Sequence, residues 1–266
     1  MKSYLTLITA MHFLIDVFGQ IEIDSETHVS KGLNSFPIVE AHMSIHPLNE
    51  DVIFISAMKV NNIDNAYQSS SLVSFYSEDA GKSWETTEHD FWGYDPWSEY
   101  DRDGNLFMAW LGTKGKFQHQ FPLNIFHSID GGKSFEQDIQ IINSPHGHDG
   151  TKMTSFDDKV YLSTVQFNDD MSADVLVYRG GIERKFEEIC RIKSQGMRLN
   201  FCEPLVLNNA KIVIPASHYL QKAWVQIYDP ARGSLSDKHI ISHFAGGGMG
   251  YMRLCVDKSR DKFDNR

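Results

Sequence analysis

A turn motif that recurs about every 50 residues constrains the fold of this chain more than any other feature of its sequence. The segment SEDAGKSW at 77–84 returns as SIDGGKSF at 128–135, 51 residues later, and each copy follows an apolar, strand-like run. An eroded third copy, GGIERKF, ends at Phe186, which is another 51 residues after Phe135. A fixed period of 40–50 residues is typical of propellers and other repeat architectures.

A second series of segments repeats in phase with the turns. Four runs rich in β-branched and aromatic residues follow turn-forming residues, as expected for strands. Their central residues are Phe54, Phe107, Tyr161 and Val213, at intervals of 53, 54 and 52 residues.

Acidic residues form a third series, in which one acid opens each repeat before a short strand-like run. These acids are Glu40, Asp95, Asp149 and Glu203, spaced by 55, 54 and 54 residues. If the innermost strands all start at one rim, the four carboxyl groups should surround the mouth of the axial channel. Carboxyl groups that converge raise one another's pKa, which suits an acid/base role. Turn capping or simple solvation is the alternative at each position.

The three series together predict an all-β fold, a β-propeller of four-stranded antiparallel blades. Units begin near residues 36, 93, 147 and 200, and a fifth opens near 249. Blades that stand around an axis bury both of their faces, whereas an isolated hairpin does not. We therefore expect a propeller over 36–266, with about four to five blades present and the last one incomplete. A sandwich with accidental repetition is the alternative.

The N-terminus differs from the repeats. A short positive start precedes a mostly apolar run over 3–15, and Val17 and Gly19 occupy the −3 and −1 positions of a cleavage site. This pattern predicts a secretory signal peptide over 1–19, followed by an N-terminal segment over 20–35 and a secreted or periplasmic protein. A buried first strand or helix is the alternative. The apolar run is too short for a membrane span.

Composition narrows the classes of partner and cofactor. With 35 acidic and 25 basic residues, the formal net charge is −10, and no basic stripe predicts a nucleic-acid partner. The three cysteines lie far apart and form no CxxC pair, so neither a disulfide framework nor a structural zinc site is expected. We predict no cofactor and no metal. The dense segment 146–149 (HGHD) leaves a metal loop open beside a polar blade-entry loop.

The motifs SxDxGxxW and SxDGGxxF match the Asp-box, or bacterial neuraminidase repeat, and the chain resembles sialidase-like propellers over about residues 36–266. The resemblance implies six blades in the complete protein and a structural role for the turns, at the rim opposite the active site. Asp79 and Asp130 would accept hydrogen bonds from the backbone of their own turn.

The resemblance also implies a secreted glycoside hydrolase, with release of terminal sialic acid as the reaction. The family binds the substrate carboxylate with three arginines, and uses a Tyr–Glu pair as nucleophile and an Asp as acid/base. The opening of the first blade reads SFPIVE at 35–40 and contains no arginine, so this part of the pattern is missing. The alternative is a non-catalytic propeller that binds glycan or protein.

Site residues follow from the acid series and the resemblance. Arg198 and Arg253 are the remaining candidates to bind a carboxylate, and Tyr251 with Glu203 is one choice of nucleophile pair. Aromatic residues cluster over 91–97, where sugar faces could stack or blades could pack, and His42 and Lys152 either touch a ligand or line the channel. We predict Asp95, Asp149, Glu203 and Tyr251 as catalytic residues, and Glu40, Trp97, Arg198 and Arg253 as substrate-binding residues.

Overall fold

A computed structural model describes residues 26–114, 121–135, 140–218, 222–243 and 255. Antiparallel strands dominate, and the helices described are three short ones, at Lys31–Leu33, Ile63–Asn65 and Ala66–Ser69. The strands form a β-propeller, of which the described residues build four blades. Within these residues we find no helix of the length and apolarity that a membrane span requires.

Blades 1 and 2 form one continuous sheet of seven strands. The fourth strand serves both blades, because its first half pairs with β3 and its second half with β5. The strands are β1 (Ile38–Ile45), β2 (Ile53–Val60), β3 (Ser70–Ser77), β4 (Glu85–Tyr100), β5 (Leu106–Lys114), β6 (Leu123–Ser128) and β7 (Gln140–Ile142).

Blade 3 is a regular four-stranded sheet, whereas the inner and outer strands of blade 4 are each interrupted. Blade 3 contains β8 (His148–Phe156), β9 (Lys159–Phe167), β10 (Ala173–Gly181) and β11 (Arg184–Ile192). Blade 4 contains β12 (Leu199–Phe201), β13 (Leu205–Val206), β14 (Ile212–His218), β15 (Lys222–Asp229), β16 (Ser234–Leu235) and β17 (His239–His243).

The core lies between the faces of neighbouring blades. Phe54 of blade 1 packs in one cluster with Trp110 of blade 2, and Phe107 of blade 2 packs in the next with Leu162 of blade 3. A third cluster places Trp224 of blade 4 with the strands of blade 3. Burying a large apolar side chain contributes about 1.5–3 kcal/mol, so these inter-blade layers hold the blades in their order.

The repeated turn lies at the end of the blade opposite the blade-opening acid. In blade 1, Ser77 at the start of the turn is aligned with Ile53, which in turn pairs with Ile45 at the end of β1. Glu40 lies near the start of the same strand. The antiparallel registers therefore separate the turns from the acids, as the phase of the two series predicts.

Two expectations are corrected. The aromatic cluster over 91–97 is not a loop, since it forms the middle of β4, where Phe91 contacts Trp110 and Tyr94 contacts Tyr67. The opening acids do not precede the inner strands, because Glu40 and Asp95 lie inside β1 and β4. Both errors have one cause, since a strand that passes from one blade into the next without a turn carries no turn-forming residues.

Candidate functional site

The inner strands of blades 1, 2 and 3 carry a β-bulge at the same position. The register shifts after Val39, Tyr94 and Asp149, so the residues that follow them occupy equivalent places. These residues are Glu40, Asp95 and Gly150, at intervals of 55, with φ of 53°, 49° and 67°. A bulge re-aims side chains, and a positive φ in a residue with a side chain costs on the order of 1–3 kcal/mol, so surrounding contacts must hold it.

Hydrogen bonds between neighbouring bulges supply those contacts. Glu40 Oε2 accepts a bond of 3.1 Å from the backbone N–H of Asp95, and Asp95 Oδ2 accepts one of 3.1 Å from the N–H of Gly150. The Thr151 hydroxyl donates to the carbonyl oxygen of Asp95. The carboxylate of each blade thus binds the backbone of the next blade, and the three bulges form a ladder.

The ladder forms one wall of a cavity of about 350 Å³. All four blade openings contribute to it, and the four predicted acids and Trp97 line it. The lining comprises residues 40–42, 95–97 and 200–203 together with Asp149, Gly150 and Lys152. Arg198 lies beside this group, where its Nη2 donates to Asp149 Oδ2 at 3.1 Å. Tyr251 and Arg253 lie outside the described residues, so their roles stay predictions.

Burial and mutual repulsion shift the carboxyl groups toward their protonated forms. Burial raises the pKa of Asp95 to about 6, and the charge of Glu40 and a hydrogen bond with its carboxyl group act in the same direction, against Lys152 and the Gly150 N–H. Burial also raises the pKa of Asp149, helped by the charge of Asp95 and opposed by Arg198. Asp95 and Glu40 therefore share a proton near neutral pH.

Three side chains that follow the bulges, one per blade, meet at the cavity. His42, Trp97 and Lys152 are also 55 residues apart. His42 stacks on Trp97 with ring centroids 3.6 Å apart, and the Lys152 ammonium lies 4.3 Å from the centroid of the same ring. The indole N–H donates to the Met153 carbonyl, and Trp97 is only 5% exposed. Protein groups thus occupy much of the ring that was predicted to stack on a sugar.

Gly150, rather than Asp149, continues the ladder in blade 3. A Cβ at Gly150 would come within 2.6 Å of the Phe201 ring of blade 4, so only glycine fits there at φ 67°. Asp149 lies one residue earlier and pairs with Arg198 instead. The interval of 55 that joins 40, 95 and 150 was present in the sequence, but an alignment restricted to acidic residues missed it.

The histidine-rich entry to β8 does not assemble a metal site. His146 Nε2 lies 2.5 Å from Asp169 Oδ1, while the ring of His148 is buried and its pKa is lowered to about 4 by that burial. In the described part of the chain, no group of three or more His, Cys, Asp or Glu side chains converges as metal ligands would.

No family model matches the sequence, and no curated protein does. The fold does have relatives among solved structures. A protein of unknown function from Dyadobacter fermentans is 12% identical with a TM-score of 0.59, over 77% of this chain and 69% of that one. An α-L-arabinofuranosidase from Fusarium graminearum is 11% identical with a TM-score of 0.54, over 77% of this chain and 66% of that one.

A Hadza microbial sialidase is 10% identical with a TM-score of 0.54, over 85% of this chain and 50% of the sialidase. The chain therefore spans half to two thirds of the length of these two enzymes. Likeness at such low identity shows the fold alone. The fold is a β-propeller of the kind found in glycosidases, and nothing at this level singles out the sialidase family.

Proposed function

We propose that this protein is a glycan-acting hydrolase whose reaction takes place in the cavity between the blade openings. The observation that supports it is the contact of the Glu40 and Asp95 carboxyl groups, with a pKa near 6 for Asp95 and Asp149 close by. Glycosidases need one carboxyl group that holds a proton and another that does not, and unequal environments provide the pair.

In the proposed reaction, Asp95 donates its proton to the glycosidic oxygen as the bond to the departing sugar breaks. An ionised carboxylate, Asp149 or Glu203, acts from the other side, as the base for a water molecule or as the nucleophile. The Arg198 guanidinium supports the ionised form of Asp149. Glu40 positions Asp95 from two directions, because it contacts the carboxyl group and accepts the N–H of the same residue.

Release of sialic acid and export of the protein are narrower proposals, and they rest on the sequence. The Asp-box resemblance supports sialidase chemistry, and residues 1–19 support export through a cleavable signal. Arg198, the described arginine assigned to the substrate carboxylate, is bound to Asp149 and stacks on Phe167 with 4.9 Å between the guanidinium carbon and the ring centroid.

A non-catalytic glycan-binding propeller is the second candidate. The observation in its favour is that Glu40 and Asp95 each bind the backbone of the next blade, a structural task that needs no reaction. Under this proposal the ladder holds the cavity in shape, and the cavity binds sugar without cleaving it.

Turnover of fluorogenic glycosides separates these candidates. The purified protein would be tested on α-L-arabinofuranoside, β-D-galactoside, β-D-xyloside and α-sialoside, and then compared with Asp95→Asn. The amide keeps the shape of the side chain but holds no acidic proton, so we expect kcat/KM to fall by about 10²–10⁴.

Asp64→Asn is the matched control, since Asp64 is exposed on a short helix far along the chain from the ladder, and it should retain full activity. Binding of a glycan without turnover by the folded wild type would favour the non-catalytic candidate. Turnover that survives Asp95→Asn would remove Asp95 from the mechanism.

A further inference from the structure

We propose that the cavity selects neutral sugars and discriminates against sugars that carry a carboxylate. This inference rests on the proposed function, because it names the substrate class of the same site. It departs from what the Asp-box resemblance implies, since sialic acid is an anion. The argument depends on the charges that face the cavity and on what already binds them.

The acids outnumber the bases at the cavity wall. Glu40, Asp95, Asp149 and Glu203 contribute four carboxyl groups, whereas Lys152 is the one lysine or arginine among the described lining residues. Even when Glu40 and Asp95 share a proton, negative charge remains in excess. A substrate carboxylate that entered would meet this charge in a partly desolvated space, where Coulomb repulsion is screened less than in water.

The nearby cations are already engaged with protein groups. The Lys152 ammonium lies over the Trp97 ring and favours the ionised form of Asp95. Arg198 donates to Asp149 and contacts Phe167. Binding of a substrate carboxylate would require one of these cations to leave its partner, and the partner carboxylate would then lose its compensating charge.

Neutral sugars avoid both costs. Their hydroxyl groups donate hydrogen bonds to carboxylates, and charge-assisted bonds of this kind are stronger than neutral ones. A wall of carboxylates is therefore a set of acceptors for sugar hydroxyls. One unit charge about 5 Å away at an effective dielectric between 20 and 80 corresponds to a discrimination of roughly 4-fold to over 100-fold against an anionic analogue.

The test compares sugars that differ only in charge. Dissociation constants would be measured by calorimetry for lactose against 3′-sialyllactose, and for galactotriose against galacturonotriose, with the full chain at 20 mM and 500 mM salt. We expect at least one neutral member to bind about tenfold more tightly than its acidic partner at low salt, and the ratio to shrink at high salt.

The variant Glu203→Gln removes one charge from the wall, and we expect it to reduce the ratio several-fold while the neutral sugar still binds. Equal or tighter binding of the acidic sugars would overturn the inference and leave the proposed function standing. A preference that does not change with salt would also overturn it, because the cause would not be charge. If neither class binds, the proposed function fails, and the inference fails with it.

Discussion

Asp95 combines three features at the scale of a single residue. Its backbone has a φ of 49°, its carboxyl group is buried against Glu40, and its pKa is raised to about 6. The folded protein therefore binds a proton at Asp95 more tightly than the unfolded chain, where the pKa is about 3.8. By linkage, the native state gains stability below pH 4 from this group and loses it as the pH rises through 6.

Replacement of Asp95 by Asn removes this titration. We expect the difference in unfolding free energy between Asp95→Asn and the wild type to shift in favour of the variant by about 1–3 kcal/mol from pH 4 to pH 7.5. Urea unfolding at a series of pH values measures the shift. A difference that stays constant with pH would show that Asp95 has an ordinary pKa in the folded protein.

At the scale of an element, the repeated turn is built in the same way in both copies. Asp79 Oδ1 accepts the Ser83 N–H at 2.8 Å, and Asp130 Oδ1 accepts the Ser134 N–H at 2.9 Å. The Ser83 bonds lower the pKa of Asp79 to about 2. Burial acts to raise the pKa of Asp130, but bonds from Ser128 and Ser134 outweigh it and lower the pKa to about 2.

The two turns differ in what surrounds their second glycine. A Cβ at Gly132 would lie 2.9 Å from both Leu106 and Phe54, which are fully buried. A Cβ at Gly81 would lie 3.3 Å from Trp84, which is partly exposed and free to adjust. Both glycines have positive φ, at 106° and 81°, so the backbone cost of a side chain is similar at the two positions.

We therefore expect Gly132→Ala to destabilise the protein more than Gly81→Ala. Each loses about 1 kcal/mol from the backbone, and Gly132→Ala loses about 1–3 kcal/mol more from overpacking of the core. Thermal unfolding of the two variants side by side gives the comparison. Equal melting temperatures would mean that the blade 1–blade 2 core yields as easily as the exposed tryptophan.

At the scale of the whole molecule, periodicity predicted the fold and only part of the site. Strand-like runs around Phe54, Phe107, Tyr161 and Val213 became the second strands of four blades, because alternation and turn residues are local signals. The continuous path of β4 was missed, since its bend at the bulge uses ordinary residues.

The four acids were found because they repeat, and the structure brings them to one cavity. Their couplings were not predictable, because they depend on backbone N–H groups of the next blade that no side-chain pattern encodes. The placement of Gly150 depends likewise on the Phe201 ring, about 50 residues later in the chain. Contacts between blades decide the chemistry of the site, and they exist only once the blades are stacked.

The proton shared at the blade openings is the central claim, and carbon NMR tests it most directly. The ¹³Cγ signal of Asp95, assigned by its loss in Asp95→Asn, would be followed from pH 3 to pH 9 with and without a neutral oligosaccharide mixture. We predict a midpoint near 6, in two steps coupled to Glu40, that moves when sugar is added. A single midpoint near 3.8 that sugar leaves unchanged would contradict the account.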